Sequence, residues 1–342
     1  MNIIVRTILA LLAKLTLWRY QPKVVAVTGS VGKTSTKEAV ACVLKNKFKV
    51  RQSPGNYNNE LGVPLTILEE ESGGRSVIAW LGIFFRGFFK LISADYPDVL
   101  VLEFGADKPG DIGRLVSIVG NISIAAVTDI GISHLQFFAN QPELVKEKLA
   151  LIKHLKPQAL AVLNFDSPKV FDGRTQTKAE VIGYGFSAGG GSASGGSPAQ
   201  LLASDFHLNK FKLHYQGTVV PFFLPNALGK PAVYCTLAAV AVGLRFGMNL
   251  VSISEALKQY SPPAGRLRLI EGIKHTTIID DTYNAAPSST IAALEILSEI
   301  AIGRKVIALG AMTELGAKTD SGHREVAVKI SESKVDAVFL VG

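Results

Sequence analysis

A β-branched run that stops in a glycine turn and restarts as a helix constrains this chain more than any other feature. Val24-Val25-Ala26-Val27-Thr28 reads as a buried strand, Gly29-Ser30-Val31-Gly32 as the turn, and Lys33-Thr34-Ser35 as the opening of a helix. At such a junction backbone N–H groups and the helix N-terminus converge, which favours an anion. Lys33 is placed to reach β/γ-phosphates and Thr34 to ligate Mg²⁺. The first glycine lies only three residues before Gly32, so the spacing departs from the common G-x-x-x-x-G-K-[ST] form. The alternative, a Gly-rich strand–helix turn holding no phosphate, is disfavoured by the strand before it and the helix after it.

Around this motif the chain alternates short apolar strands with helical patterns. Candidate strands at 24–28, 99–104, 122–128 and 159–164 alternate with helices near 34–44, 110–119, 143–155 and 230–246, which predicts an α/β fold with a mostly parallel sheet. The 342 residues suggest about two domains. The break Ser261-Pro262-Pro263-Ala264-Gly265 marks the boundary. The predicted organisation is a basic apolar helix over 1–22, a P-loop central domain over 23–262, and a smaller Rossmann-like α/β unit over 263–342. That last unit has strands at 277–281, 305–310 and 337–341 and helices at 288–300 and 321–331. Its final strand has no helix after it to cover the sheet, which predicts an incomplete unit. The run 187–198, SAGGGSASGGSP, cannot bury a core and is expected to be a flexible surface insertion.

Composition excludes several classes. With 48% hydrophobic and 19% charged residues the chain is globular rather than disordered. Its two cysteines, Cys42 and Cys235, lie in apolar segments, which fits a reducing, cytoplasmic setting. The net charge of +8 suggests nucleic acid until it is located. Residues 1–23 carry Arg6, Lys14, Arg19 and Lys23, and residues 75–90 carry Arg75, Arg86 and Lys90, with no acid in either segment. The rest is close to neutral, so no basic stripe for a nucleic-acid backbone is expected. Both segments are also apolar, and Ile78, Leu81, Phe85, Phe88 and Ile92 recur at helical spacing. Peripheral membrane contact through 1–20 and 75–92, or burial against the domain or a partner subunit, accounts equally for that pattern. The first segment is too short and charged for a spanning helix.

Further candidates follow the strands. Gly55-Asn56-Tyr57-Asn58-Asn59-Glu60-Leu61-Gly62-Val63-Pro64 is a polar turn entering an apolar segment. Glu103 closes one strand, His134 follows another, and Lys146 and Lys148 lie at the start of a helix. Ligands of open α/β sheets bind at the carboxyl ends of strands, so the P-loop, Glu103 and His134 could share a metal–phosphate site. Singly, each is more often structural.

The motifs TGSVGKTSTKE, GNYNNELGVP, LEFGA, SHL with KEK, AGRL, DDTYNAAPSS and GAMTELG occur together in the order found in the Mur ligases, which this chain resembles over about residues 23–342. The run is most similar to the branch that adds D-Ala-D-Ala. The resemblance implies an ATP-dependent, ADP-forming ligase of peptidoglycan precursor synthesis. Its implied cofactors are ATP and one or two Mg²⁺ ions; its implied partners are a nucleotide-linked peptide precursor and D-Ala-D-Ala. It implies that Gly29, Ser30, Gly32, Lys33 and Thr34 hold the ATP phosphates, and that Thr34, Glu103, His134 and Lys148 serve the metals. Lys148 matches a carbamylated lysine, with Lys146 the competing choice. Lys33, Lys148 and His134 are then the catalytic set, and Asn58 and Asn59 lie on the substrate side. Arg266, Asp281, Tyr283 and Asn284 hold the nucleotide from the second domain.

Some positions depart from the family pattern. Only about 22 residues precede the P-loop strand, where the family has a uridine-nucleotide-binding domain. A Gly-x-His-Asn signature that reads adenine is here Gly229-Lys230-Pro231-Ala232, Gly-Asp-Met is Gly310-Ala311-Met312, and an acid usual two residues after the carbamylated lysine is Ala150. Two other functions fit the motifs: a related ligase acting on a different, lipid-linked substrate, and a non-catalytic ATP-binding scaffold.

Overall fold

The alternation in the first strand sets the layers. In β1 (Lys23–Thr28) Val25 and Val27 face one side of the sheet and Val24 and Ala26 the other, and all four are buried. A strand covered on both faces belongs in the middle of a parallel sheet. The computed structural model describes residues 3–131, 135–186, 199–300 and 303–341, so His134 and the run 187–198 lie outside the described residues.

The chain opens with α1 (Ile3–Tyr20) and passes through β1 into α2 (Lys33–Leu44) and β2 (Val50–Gln52). Two further helices, α3 (Gly62–Leu68) and α4 (Val77–Lys90), precede β3 (Val99–Glu103). Then α5 (Asp111–Val119), β4 (Ile124–Val127), α6 (Gln141–Lys153), β5 (Leu160–Asn164), α7 (Pro168–Gly173) and β6 (Glu180–Gly185) continue the alternation. Three antiparallel partners, β7 (Leu201–His207), β8 (Lys210–Tyr215) and β9 (Thr218–Phe223), are followed by α8 (Gly229–Arg245) and α9 (Leu250–Leu257). The nine strands form one sheet in the order β2-β3-β1-β4-β5-β6-β7-β8-β9, parallel from β2 to β7.

One core lies between the sheet and α2, α8 and α9. The other lies beneath α3, α5 and α6, and α1 joins that layer through Ala13. The N-terminal helix is therefore half internal: Leu9, Leu12, Ala13 and Thr16 are buried, while Ile4, Leu11, Leu15 and Trp18 are exposed. Burial accounts for one face of it only. Among the described residues no helix is long and apolar enough to cross a membrane.

The C-terminal part is built from β10 (Arg268–Glu271) paired antiparallel with β11 (Thr277–Asp280), then α10 (Pro287–Glu299), β12 (Val306–Gly310), α11 (Thr319–Glu332) and β13 (Ala337–Val341). β12 and β13 pair in parallel. A small core of Leu294, Ile307, Met312, Leu315 and Val326 holds the helices to them. Leu228, Leu267 and Ile296 pack together where α8 meets α10, and Gln136 N donates to Glu314 O at 3.5 Å on the other side of the cleft. The meander β7–β9 has no counterpart among the strands expected from the sequence, because stretches such as Lys210-Phe211-Lys212-Leu213 alternate too briefly to stand out from a loop.

Candidate functional site

The glycine turn is clamped onto the end of β4. Ser30 N donates to Asp129 O at 2.6 Å, and Thr128 Oγ1 donates to Val31 O at 2.6 Å. Gly29 has φ +147°, and a Cβ there would meet Thr128 Oγ1 at 2.0 Å, so no other residue fits. α2 then starts on Gly32 without a side-chain cap, leaving first-turn N–H groups for a ligand. Lys33 Nζ rests on Ser30 O at 3.1 Å, Thr34 is half-buried, and Ser30 Oγ is buried without a hydrogen-bond partner. Burial pushes the Lys33 ammonium down from its usual range, against the pull of the Glu103 carboxylate.

Glu103 stands at the end of β3, buried. Asn58 Nδ2 donates to its Oε1 at 2.9 Å, and Oε2 has no partner. The glycine of Glu103-Phe104-Gly105 makes this contact possible, since a Cβ on Gly105 would lie 2.9 Å from Asn58 Cγ. Asn59 does something different: its Oδ1 accepts from Leu61 N and Gly62 N and so shapes the entry to α3.

Two lysines two positions apart on α6 are separated by packing. Glu147 accepts from Gly110 N at 2.8 Å and Ile112 N at 2.7 Å, capping α5 and fixing the rotation of α6. That rotation buries Lys148 completely and leaves Lys146 exposed. Lys148 Nζ has no hydrogen-bond partner. Burial, reinforced by the charge of Lys33, lowers its pKa to about 7.

Sequence reasoning passed over Lys37, one turn beyond Lys33. Its side chain is fully buried; Nζ donates to Ser53 O at 2.5 Å and pairs with Glu38 at 3.2 Å. Ser53 Oγ in turn accepts from Glu103 N at 3.2 Å. Lys37 thus ties the P-loop helix to the strand end that carries Glu103. A lysine inside an otherwise helical small-residue run was the available signal.

On the other flank of α2 a cavity of about 370 Å³ reaches from Gly32 and Thr34 to the C-terminal part. Arg266 and Asp281 line it, together with Lys230, Pro231 and Tyr234 of α8. Tyr234 donates to Asp166 Oδ2 at 2.9 Å. The positions that depart from Gly-x-His-Asn therefore form part of the wall. Burial raises the Asp281 carboxyl to about 6, although Leu267 N donates to it at 3.2 Å. Tyr283 lies outside the lining, its ring under the Arg266 guanidinium at 4.0 Å, and Asn284 is outside it too. Lys33, Glu103 and Lys148 are not among the residues that line this cavity.

Among the described residues no three His, Cys, Asp or Glu side chains cluster to hold a metal alone. The fit of a Mg²⁺ ion rests instead on the buried, unpartnered Glu103 Oε2 and on the hydroxyl of Thr34, both hard oxygen donors.

The chain matches the Mur ligase middle domain over residues 27–82 and 83–243, and the Mur ligase, glutamate ligase domain over 265–342. UDP-N-acetylmuramoyl-tripeptide–D-alanyl-D-alanine ligase of Bacillus subtilis is 31% identical over 340 residues, covering 98% of this chain and 66% of the relative. The Escherichia coli protein of that name is 28% identical, covering 94% and 64%. The chain spans a little under two thirds of the length of these relatives. Among solved structures, a MurF from Acinetobacter baumannii superposes with TM-score 0.81 at 28% identity, covering 98% of this chain and 67% of that one. MurF ligase from Thermotoga maritima in complex with ADP gives 0.80 at 27% identity, covering 99% and 71%.

Proposed function

The chain belongs to the Mur ligase family, and from that premise we propose that it is an ATP-dependent, ADP-forming ligase of peptidoglycan precursor synthesis. A precursor carboxylate attacks the γ-phosphorus of ATP, ADP leaves, and the amine of D-Ala-D-Ala displaces phosphate from the acyl phosphate. The observation that carries this reading is the set of buried polar atoms without partners, Ser30 Oγ, Glu103 Oε2 and Lys148 Nζ, around Lys33. Unpaired polar atoms in a dry site are costly unless a ligand satisfies them. A protein that bound no ligand there would gain by replacing them.

In this reading Gly29, Ser30, Gly32, Lys33 and Thr34 bind the phosphates, and Lys33 offsets charge building on the transferred group. Bound Mg²⁺ would neutralise the β- and γ-oxygens, held by Thr34 and Glu103, with His134 as a further ligand. Lys148, buried where Lys146 is not, is the residue assigned to carbamylation, which would turn an orphan amine into a second metal-binding carboxylate. Asn58 orients Glu103 and, with Asn59, faces the precursor. Arg266 and Asp281 meet the nucleotide across the cavity, with Tyr283 and Asn284 behind them. Residues 23–262 form the ATP-binding unit and 263–342 the unit that closes on it. The enzyme is placed in the cytoplasm, in peripheral contact with a membrane through 1–20 and 75–92, with no nucleic-acid partner.

The test is phosphate release by the full chain with Mg-ATP, the UDP-linked tripeptide precursor and D-Ala-D-Ala. Release that requires all three supports the proposal. Release with a lipid-linked precursor only would move the substrate assignment, and ATP binding without release under any combination would make the protein a scaffold.

A further inference from the structure

The membrane placement just proposed leaves open which element makes the contact, and the structure separates the two candidates. In α4 only Trp80, Ile83 and Gly87 are buried. At 100° per residue these lie on one side, and Ile78, Leu81, Phe85, Phe88 and Ile92 form a stripe on the other. Every member of that stripe is at least 61% exposed, and Ile78 reaches 82%. In α1, by contrast, Leu9, Leu12, Ala13 and Thr16 are internal.

The two helices nonetheless present one surface. Leu12 meets α4 at Gly87, where a Cβ would lie 3.2 Å from Leu12 Cδ1, and the Tyr20 hydroxyl donates to Ser93 O at 2.6 Å. On the α1 wheel, Ile4, Leu11, Leu15 and Trp18 fall on the flank next to Ile8 and Leu12, the side turned to α4. The exposed apolar strip of α1 therefore borders that of α4.

Charge decides the occupant. Arg86 pairs with Glu70, Lys90 with Glu69 and Arg6 with Glu60, which neutralises those three acids and leaves Glu71 as the one remaining exposed acid in the segment leading into α4. Among the described residues Lys14, Arg19 and Arg75 have no carboxylate partner, and all three are exposed. A second copy docked through the same face would set one patch carrying these three cations against an equally cationic patch. An anionic surface with an apolar interior satisfies both features.

We infer that α4 is the docking element for an anionic lipid bilayer, seated with its Ile78–Ile92 stripe in the acyl boundary and α1 as a bordering flank. This rests on the peripheral placement proposed above and names its element and lipid class. The test is co-sedimentation of the full chain with phosphatidylcholine vesicles containing phosphatidylglycerol, and with phosphatidylcholine alone. Trp18, 74% exposed, is one of only two tryptophans, and its emission should shift to the blue on binding while buried Trp80 stays constant.

Binding should require phosphatidylglycerol and weaken with salt. It should fall by about tenfold or more in L81S/F85S/F88S, with thermal stability and phosphate release in solution unchanged, and by less in L11S/L15S. Equal binding of wild type and the α4 variant, with loss in the α1 variant, would overturn the inference while keeping peripheral contact. No binding by the wild type would overturn both, without touching the ligase chemistry. Concentration-dependent dimers in sedimentation velocity, abolished by the α4 variant and unaffected by vesicles, would assign the stripe to a second copy.

Discussion

The P-loop flank and the α1/α4 flank are mirror images in energetic terms. At the first, polar atoms that prefer water are buried without partners: Lys148 Nζ, Glu103 Oε2 and Ser30 Oγ. At the second, apolar side chains that prefer a core stand in solvent, four of them in one stripe of α4 that Ile92 extends just past its end. Each is a local cost to the free protein, and each would be relieved by a different kind of ligand. Both candidate sites stand out by being wrong for water, one inside the fold and one on its surface.

The comparison breaks first at Lys33. Lys33→Ala should reduce phosphate release by roughly three orders of magnitude, because one preorganised charge at the transferred group is removed. The fold should remain intact by near-UV circular dichroism. Near-normal turnover would sink the phosphate-cradle assignment.

Lys148→Met should lose about a hundredfold or more in turnover, with Lys146→Met near wild type. Its stability should move the other way. The unfolded chain holds this proton up to about pH 10.5, the folded chain only up to about pH 7. Between those values the unfolded state binds more protons, so stability rises with pH and the penalty is full below about pH 7. In bicarbonate-free buffer Lys148→Met should flatten that slope and raise the melting temperature at neutral pH. A melting temperature that falls instead would mean that the buried amine has a stabilising partner.

Glu103→Gln should shift the Mg²⁺ half-saturation upward by about tenfold with a smaller change in nucleotide affinity, since it removes a hard oxygen charge from the assigned ion. An unchanged titration would make the residue structural. Lys37→Met should cost about 1–3 kcal/mol in urea unfolding by leaving Ser53 O unsatisfied, and should raise KM for the precursor more than for ATP. Smallest of all, L81S/F85S/F88S should lie within about 0.5 kcal/mol of wild type in stability, as for surface changes away from special features. A large destabilisation would show that the α4 stripe belongs to the core after all.

Much of the site was legible because its signals are local. Gly29 to Thr34 is a contiguous strand–turn–helix, and Glu103 ends an uninterrupted apolar strand, so both positions follow from short-range pattern alone. The loop residue Asn58 was found by its motif, but its bond to Glu103 spans 45 residues and depends on the β2–β3 pairing. Lys37 escaped because its one signal, a lysine within a helical run of small residues, fits a solvated side chain as well as a buried one. The C-terminal candidates divided in space, with Arg266 and Asp281 in the cavity wall and Tyr283 and Asn284 beside it.

By itself the sequence determined the strand–turn–helix of the P-loop, the strand–helix alternation and the helical spacing of the α4 stripe, all features written in neighbouring residues. Tertiary structure alone decided which face of each helix turns inward. Lys146 and Lys148 are 200° apart on α6, and only the capping of α5 by Glu147 chooses between them. The α4 stripe would read the same whether buried or bare, and only the seating of Ile83 and Gly87 against α1 and α3 leaves it facing out. The physical reason is that periodicity specifies a face, whereas orientation is a sum of contacts between segments far apart in the chain.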